Sequence, residues 1–251
     1  MKIIVIGGSG FIGSKLVNIL RDQCHEVLSA SPASRVNTIT GEGLAEALKG
    51  ADVVVDVSNS PSLEDIVALK FFETSTRNIL QAEQAAGVQH LVALSIVGAD
   101  RMPEFGYYRA KVAQEKLIKS ASVPYTIVRA TQFFEFIPKL IDDNTKGDTV
   151  CLSSILMQPV AADDVVSALA RAASGAPVNG IIEVAGQERF RLDQLARQFL
   201  QAKHDARKVV ADTHKTYFGA EINDESLIAG SNSQIGSTRF EDWLFRSTTA
   251  H

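Results

Sequence analysis

Hydrophobic positions fall along this chain in short blocks separated by glycine, proline and polar clusters. Ile3 to Ile6 is a β-branched run with no polar alternation, the pattern of a strand covered on both faces. Gly7, Gly10 and Gly13 then recur every third residue, and Ser14 to Leu20 carries helical spacing. Glu26 to Ser31 reads as a second strand ending at Pro32, and Leu44 to Lys49 as a brief amphipathic helix closed by Gly50. Ala51 to Val57 is a third strand, followed by the loop 58–62. A long helix is expected from about Phe71 to Ala86, stopping at Gly87. Leu91 to Ser95 reads as a strand, Tyr107 to Ser120 as a helix and Tyr125 to Val128 as a strand. This alternation predicts an α/β fold: a doubly wound parallel sheet with right-handed crossovers and helices on both faces.

The rhythm loosens after about Phe133. A helix from Val165 to Ala173, with an Asp of the pair Asp163–Asp164 as its N-cap, is followed by a strand at Ile181 to Val184 and a helix at Leu192 to Ala202. The last forty-odd residues mix Gly, Asn, Ser and Thr with isolated aromatics. Residues 1–251 are therefore expected to form one domain, with about 134–251 contributing a small C-terminal lobe that faces the substrate.

The glycine-punctuated turn adds chemistry to this pattern. Lying between a strand and a helix, it lets the backbone approach a dinucleotide pyrophosphate and aims helix N–H groups at the negative charge. Gly7, Gly10, Phe11, Ile12 and Gly13 are the expected contacts. An acidic residue near the end of the second strand would favour NAD. Residues 28–35 instead read Leu-Ser-Ala-Ser-Pro-Ala-Ser-Arg, so Ser31 or Ser34 with Arg35 suits a 2′-phosphate and NADP(H) is favoured, with NAD as the alternative. Asp56 lies inside the third strand and is poorly placed for the ribose, whereas Val57, Ser58 and Asn59 at its end are expected to line the nucleotide crevice.

Composition narrows the partners. With a formal net charge of −4 and 22% charged residues, no basic surplus points to nucleic acid. The two cysteines, Cys24 and Cys151, are far apart, which suits a reduced, cytoplasmic compartment. The five histidines show no ligand spacing, so no metal is expected. Glycines interrupt the apolar start too early for a signal peptide, and no stretch reaches the ~20 apolar residues of a membrane helix. A monomer or homodimer is expected.

Tyr107 and Lys111, four apart at the start of a helix, share a face. Carbonyl reduction needs a proton donor beside the hydride acceptor, and a nearby ammonium favours the phenolate, bringing Tyr107 toward working pH. Together with the glycine turn and Leu94-Ser-Ile-Val-Gly98, this pair resembles the short-chain dehydrogenase/reductase superfamily, built on the NAD(P)-binding Rossmann fold. The blocks 107–115 (Tyr-Tyr-Arg-Ala-Lys-Val-Ala-Gln-Glu), 123–133 and 159–165 resemble its atypical, NmrA-like branch.

The resemblance implies Tyr107 as proton donor or acceptor, Lys111 as its ribose-bound partner, and Ser95 as the hydroxyl that orients the substrate oxygen. The alternative for Ser95 is a strand-end serine satisfying local backbone groups. Arg129 and Gln132 lie where ligands bind at the sheet edge. Phe133, Phe134 and Phe136 either wall a hydrophobic pocket or belong to the core, and Tyr217, Phe218 and Trp243 are open to the same two readings. The expected activity is an NADP(H)-dependent oxidoreductase acting on a small apolar or aromatic carbonyl or quinone. The competing expectation is a catalytically silent NAD(P)-sensing regulator.

Overall fold

The computed structural model describes residues 1–212 and 216–249. The chain divides into two compact units, one of Met1–Arg129 with Val166–Ile182 and one of Ala130–Val165 with Glu183–His251. In the first, β1 (Lys2–Ile6) leads through the glycine turn into α1 (Phe11–Asp22) and β2 (Glu26–Ala30). There follow α2 (Leu44–Leu48), β3 (Val53–Asp56), α3 (Asp65–Ala86), β4 (His90–Ile96), α4 (Gly106–Ser120) and β5 (Tyr125–Ala130). Beyond β5 come α5 (Ile137–Asp143), β6 (Thr145–Lys146), β7 (Thr149–Leu152), β8 (Leu156–Met157), α6 (Ala162–Ser174) and β9 (Gly180–Ala185). The remainder is β10 (Phe190–Arg191), α7 (Leu192–Ala202), β11 (Lys208–Ala211), β12 (Gln234–Ile235) and α8 (Phe240–Thr249).

The central sheet has seven strands in the order β12-β9-β5-β4-β3-β1-β2, the parallel arrangement expected of a doubly wound α/β fold. Ile3 pairs with Val27 on one side and Val53 on the other, so β1 is covered from both edges. The chain leaves β1 toward β2 and later returns on its opposite side as β3. Such a reversal marks the place outside the carboxyl ends of β1 and β3 where folds of this kind hold ligands. Ile4, Ile6, Val54, Leu91 and Ile127 from the strands pack with Leu48 and Ile79 from the helices as the core beneath it.

Two local expectations are revised. Helix α3 starts at Asp65, six residues before the expected Phe71. Ile66, Val67 and Leu69 are exposed, so the apolar stripe that marks a helix is blurred in its first turns. Helix α6 starts at Ala162, and the carboxylate of Glu135, not an Asp, accepts its first amide. Asp164 instead accepts from the Ser237 hydroxyl and the Thr238 amide.

The second unit carries short elements that the sequence pattern does not announce. β11, β7 and β6 form a three-stranded sheet, and β10 pairs with β8. Phe134 is buried against Phe240 and Trp243, with ring centroids 5.3 and 5.5 Å away.

Candidate functional site

The turn after β1 is shaped by what glycine omits. Gly7 has a φ of +78°, and a Cβ there would lie 2.9 Å from the Ser58 backbone. At Gly13 a Cβ would sit 2.1 Å from the Gly7 carbonyl oxygen, so helix and turn meet backbone to backbone. Gly10 differs: it is exposed, and a Cβ there would meet only the Gly7 oxygen, at 3.2 Å. It is also the N-cap of α1 and supplies no side-chain cap, which leaves the first-turn amides of Phe11, Ile12 and Gly13 for another acceptor. The buried Ser58 hydroxyl, against this turn, has no hydrogen-bond partner among the described residues. An open helix N-terminus with an unpaired hydroxyl beside it fits a dinucleotide pyrophosphate.

After β2 the chain makes a tight turn at Pro32–Ser34. The Ser34 hydroxyl accepts from the Ser31 amide at 2.8 Å and donates to the Ser31 carbonyl at 2.9 Å. Arg35 follows in the left-handed region, with φ +60°, and its side chain is exposed. No carboxylate is built into this turn.

Tyr107 and Asn59 meet at the end of β3. The Tyr107 hydroxyl donates to Asn59 Oδ1 at 2.5 Å, and its ring stands edge-on to Phe72 with centroids 5.8 Å apart. The segment Ser58–Asn59 thus touches the glycine turn with one residue and the phenol with the next. Lys111, one helical turn on, is buried. Its Nζ donates to the Leu94 carbonyl at 2.8 Å and to Gln114 Oε1, and it lies 4.3 Å from the Phe72 ring centroid.

The expected effect of Lys111 on Tyr107 is overturned. Burial, with a smaller contribution from Tyr108, pushes the phenol above its ordinary value. Lys111 is bound to the Leu94 carbonyl and Gln114 and lies over the face of Phe72, and burial, not its charge, dominates the phenol. Its own ammonium is pulled down to about 8 by burial, which Asp56 and Glu115 only partly oppose.

Ser95 takes part in a different cluster. Its buried hydroxyl donates to Glu115 Oε1 at 2.7 Å. Arg129 grips the same carboxylate with Nε at 2.8 Å and a terminal nitrogen at 2.7 Å, and reaches Asp100 at 3.0 Å. Burial alone would raise Glu115, but the bonds from Arg129 and Ser95 prevail and hold it below the usual carboxylate range. Arg129, expected at the ligand edge, therefore braces α4 and the loop before it.

Of the aromatic candidates in the second unit, Phe134 is core, whereas Phe133 stacks on the exposed Phe136 with centroids 5.4 Å apart. Trp243 stacks on Phe240 and donates its indole N–H to Glu135. Tyr217 is buried edge-on to Phe218. Sequence reasoning missed Phe72 and Gln114 and set Asp56 aside. The available signals were an acidic residue ending a valine run, and Gln114 three positions after Lys111 on the same helix face.

The sequence profile of a family described as NAD(P)H-binding matches residues 7–172. The chain belongs to this family. It is 27% identical over 149 residues to the photosystem II assembly factor Ycf39 of Synechocystis, covering 54% of this chain and 46% of that protein. It is 28% identical over 145 residues to a (4-alkanoyl-5-oxo-2,5-dihydrofuran-3-yl)methyl phosphate reductase of Streptomyces griseus, covering 52% and 48%. The chain spans about half the length of these curated relatives. Among solved structures, an NADPH-dependent quinone oxidoreductase of Escherichia coli superposes with a TM-score of 0.71 at 16% identity, covering 98% of this chain and all of that one. That likeness is one of fold. Among the described residues, no helix is long and apolar enough to cross a membrane.

Proposed function

We propose that this protein is an NADP(H)-dependent reductase of a small apolar or aromatic carbonyl or quinone, with Tyr107 as the proton donor. The observation that carries the reading is the contact chain from the glycine turn through Ser58 and Asn59 to the Tyr107 hydroxyl. It joins a dinucleotide cradle to an acid that burial keeps protonated through neutral pH. Among relatives, the phosphate reductase of Streptomyces griseus supports the reaction class.

When bound, the nicotinamide supplies the hydride. The first-turn amides of α1 and the Ser58 hydroxyl hold the pyrophosphate. Arg35, with the hydroxyls of the Ser31–Ser34 turn, receives the 2′-phosphate, since a guanidinium pairs with phosphate in a fork and no carboxylate opposes it. Tyr107 passes its proton to the substrate oxygen as charge develops there. Asn59 holds the phenol in place until the substrate oxygen replaces it as acceptor. Ser95 is left out of the mechanism because its hydroxyl is committed to Glu115.

The test is NADPH oxidation against menadione, further quinones and aromatic aldehydes, with wild type and Tyr107→Phe compared. The expected result is turnover that falls about 10²–10⁴-fold in the variant while the NADPH Kd changes less than about threefold. Tight NADPH binding with no turnover on any acceptor would overturn the reading.

A further inference from the structure

Lys111 does not stand alone in the helix packing. Asp56, Gln114 and Lys111 are 3%, 1% and 4% exposed, and each is hydrogen-bonded to the next. Gln114 Nε2 donates to Asp56 Oδ2 at 2.9 Å, while Gln114 Oε1 accepts from Lys111. The amide can serve both only in this orientation, because it has donors on one side and an acceptor on the other. The second oxygen of Asp56 accepts the Ser58 amide at 2.9 Å. One buried carboxylate thus ties the segment beside the glycine turn to the lysine beside Tyr107.

We propose that Asp56 and Gln114 are positioning residues that hold Lys111 in the sheet-facing site and set its charge. The inference rests on reading Tyr107, one helical turn before Lys111, as the proton donor. The amide fixes the direction of the ammonium, and Asp56, one hydrogen bond further, supplies the opposing charge without contacting it. Such an arrangement keeps a buried cation that an apolar surround would neutralise. The charged and titratable groups around it are Asp56 on β3, Glu115 and Tyr107 on α4, and Glu83 on α3. Burial raises the Asp56 carboxyl while Ser58, Lys111 and Gln114 oppose the rise, and Asp56 in turn helps to raise the Glu83 carboxyl. Phe72 closes the remaining side with its ring face.

The experiment is a pH titration of the Lys111 Nζ resonance in full-length, cofactor-free protein labelled with [15N]lysine, the signal being assigned by its loss in Lys111→Met. Wild type is expected to titrate near 8. Asp56→Asn removes the opposing charge and is expected to lower the midpoint by about one unit or more. Gln114→Glu places a carboxylate against the ammonium and is expected to raise it by about the same amount. Shifts of opposite sign separate charge setting from simple loosening of the packing. If Asp56→Asn does not fold, Gln114→Leu replaces it, with a downward shift expected. Midpoints within about 0.3 unit of wild type in the folded variants would overturn the proposal. In the menadione assay, the alkaline limb of the kcat profile should move the same way in each variant, with the KM for NADPH changing less than about twofold. Absence of turnover in wild type would sink the reductase reading, while the resonance titration would still decide the role of the pair.

Discussion

The phenol oxygen of Tyr107 lies 2.5 Å from Oδ1 of Asn59, joining two residues 48 positions apart in the chain. Asn59 follows Ser58, whose backbone rests on the glycine turn, so the position of the phenol is referred to the position of that turn. Removing the amide in Asn59→Ala should free the Tyr107 ring. The hydrogen bond contributes about 0.5–1.5 kcal/mol net, so thermal stability should fall only modestly. Turnover of NADPH with menadione should drop about tenfold, since a misplaced acid loses much of its catalytic contribution. An unchanged kcat in the folded variant would remove Asn59 from the mechanism.

Arg35 is expected to discriminate between the two nicotinamide cofactors. It stands exposed in a turn without a carboxylate. Replacing it in Arg35→Ala should weaken NADPH binding by about 10–100-fold, the range for lost charge-assisted hydrogen bonds, with NADH binding altered less than about twofold. Fluorescence titration with both cofactors checks this. Equal effects on the two would show that the side chain does not reach the phosphate.

The Glu115–Arg129 pair should carry stability in a pH-dependent way. The side chains are 2% and 7% exposed, so Arg129→Met leaves a buried carboxylate uncompensated and should cost about 3–5 kcal/mol in urea unfolding at pH 7. The carboxyl of Glu115 is held below its ordinary value of 4.5 in the folded protein. Its contribution is therefore complete above the unfolded value and lost as pH falls through the lower folded one. The gap between wild type and variant should narrow in acid. A gap independent of pH would mean that packing, not the ion pair, sets the cost.

Glu83 shows the opposite sign. It is fully buried on α3, and both carboxylate oxygens lack a hydrogen-bond partner among the described residues. Burial, with Asp56 adding to it, pushes its carboxyl well above the ordinary 4.5. A raised acid favours folding below the unfolded value and loses that advantage as pH rises toward the folded one. Glu83→Met should therefore be more stable than wild type at pH 8, with the advantage shrinking toward pH 4.5. The gain can grow by no more than about 1.4 kcal/mol per pH unit. Thermal melts across that range would exclude the assignment if the variant were destabilised at every pH.

Much of the first unit was legible in the order of residues. The run Ile3–Ile6, the three glycines and the helix after them announce themselves because each signal lies within a few positions of its cause. The same holds for Tyr107 and Lys111, whose spacing places them on one helix face, and for α7, which matches its expected span of Leu192–Ala202. Less was legible where the signal is weak or divided. The first turns of α3 carry exposed Ile66 and Leu69, and β6, β8, β10 and β12 are two residues each, too short for any periodicity.

What the sequence by itself determined is the βα rhythm, the glycine turn and the placing of Tyr107 and Lys111 on one helix face, all set by local backbone chemistry. Only the tertiary structure decided what those side chains do. It brought Gln114 to Asp56 across 58 positions of chain, gave the Ser95 hydroxyl to Glu115, and packed the Tyr107 phenol so that burial raises it above its ordinary value. Hydrogen bonds and charges inside a core act over a few ångströms with little screening, so the assignment of partners follows from packing and leaves no periodic trace in the chain.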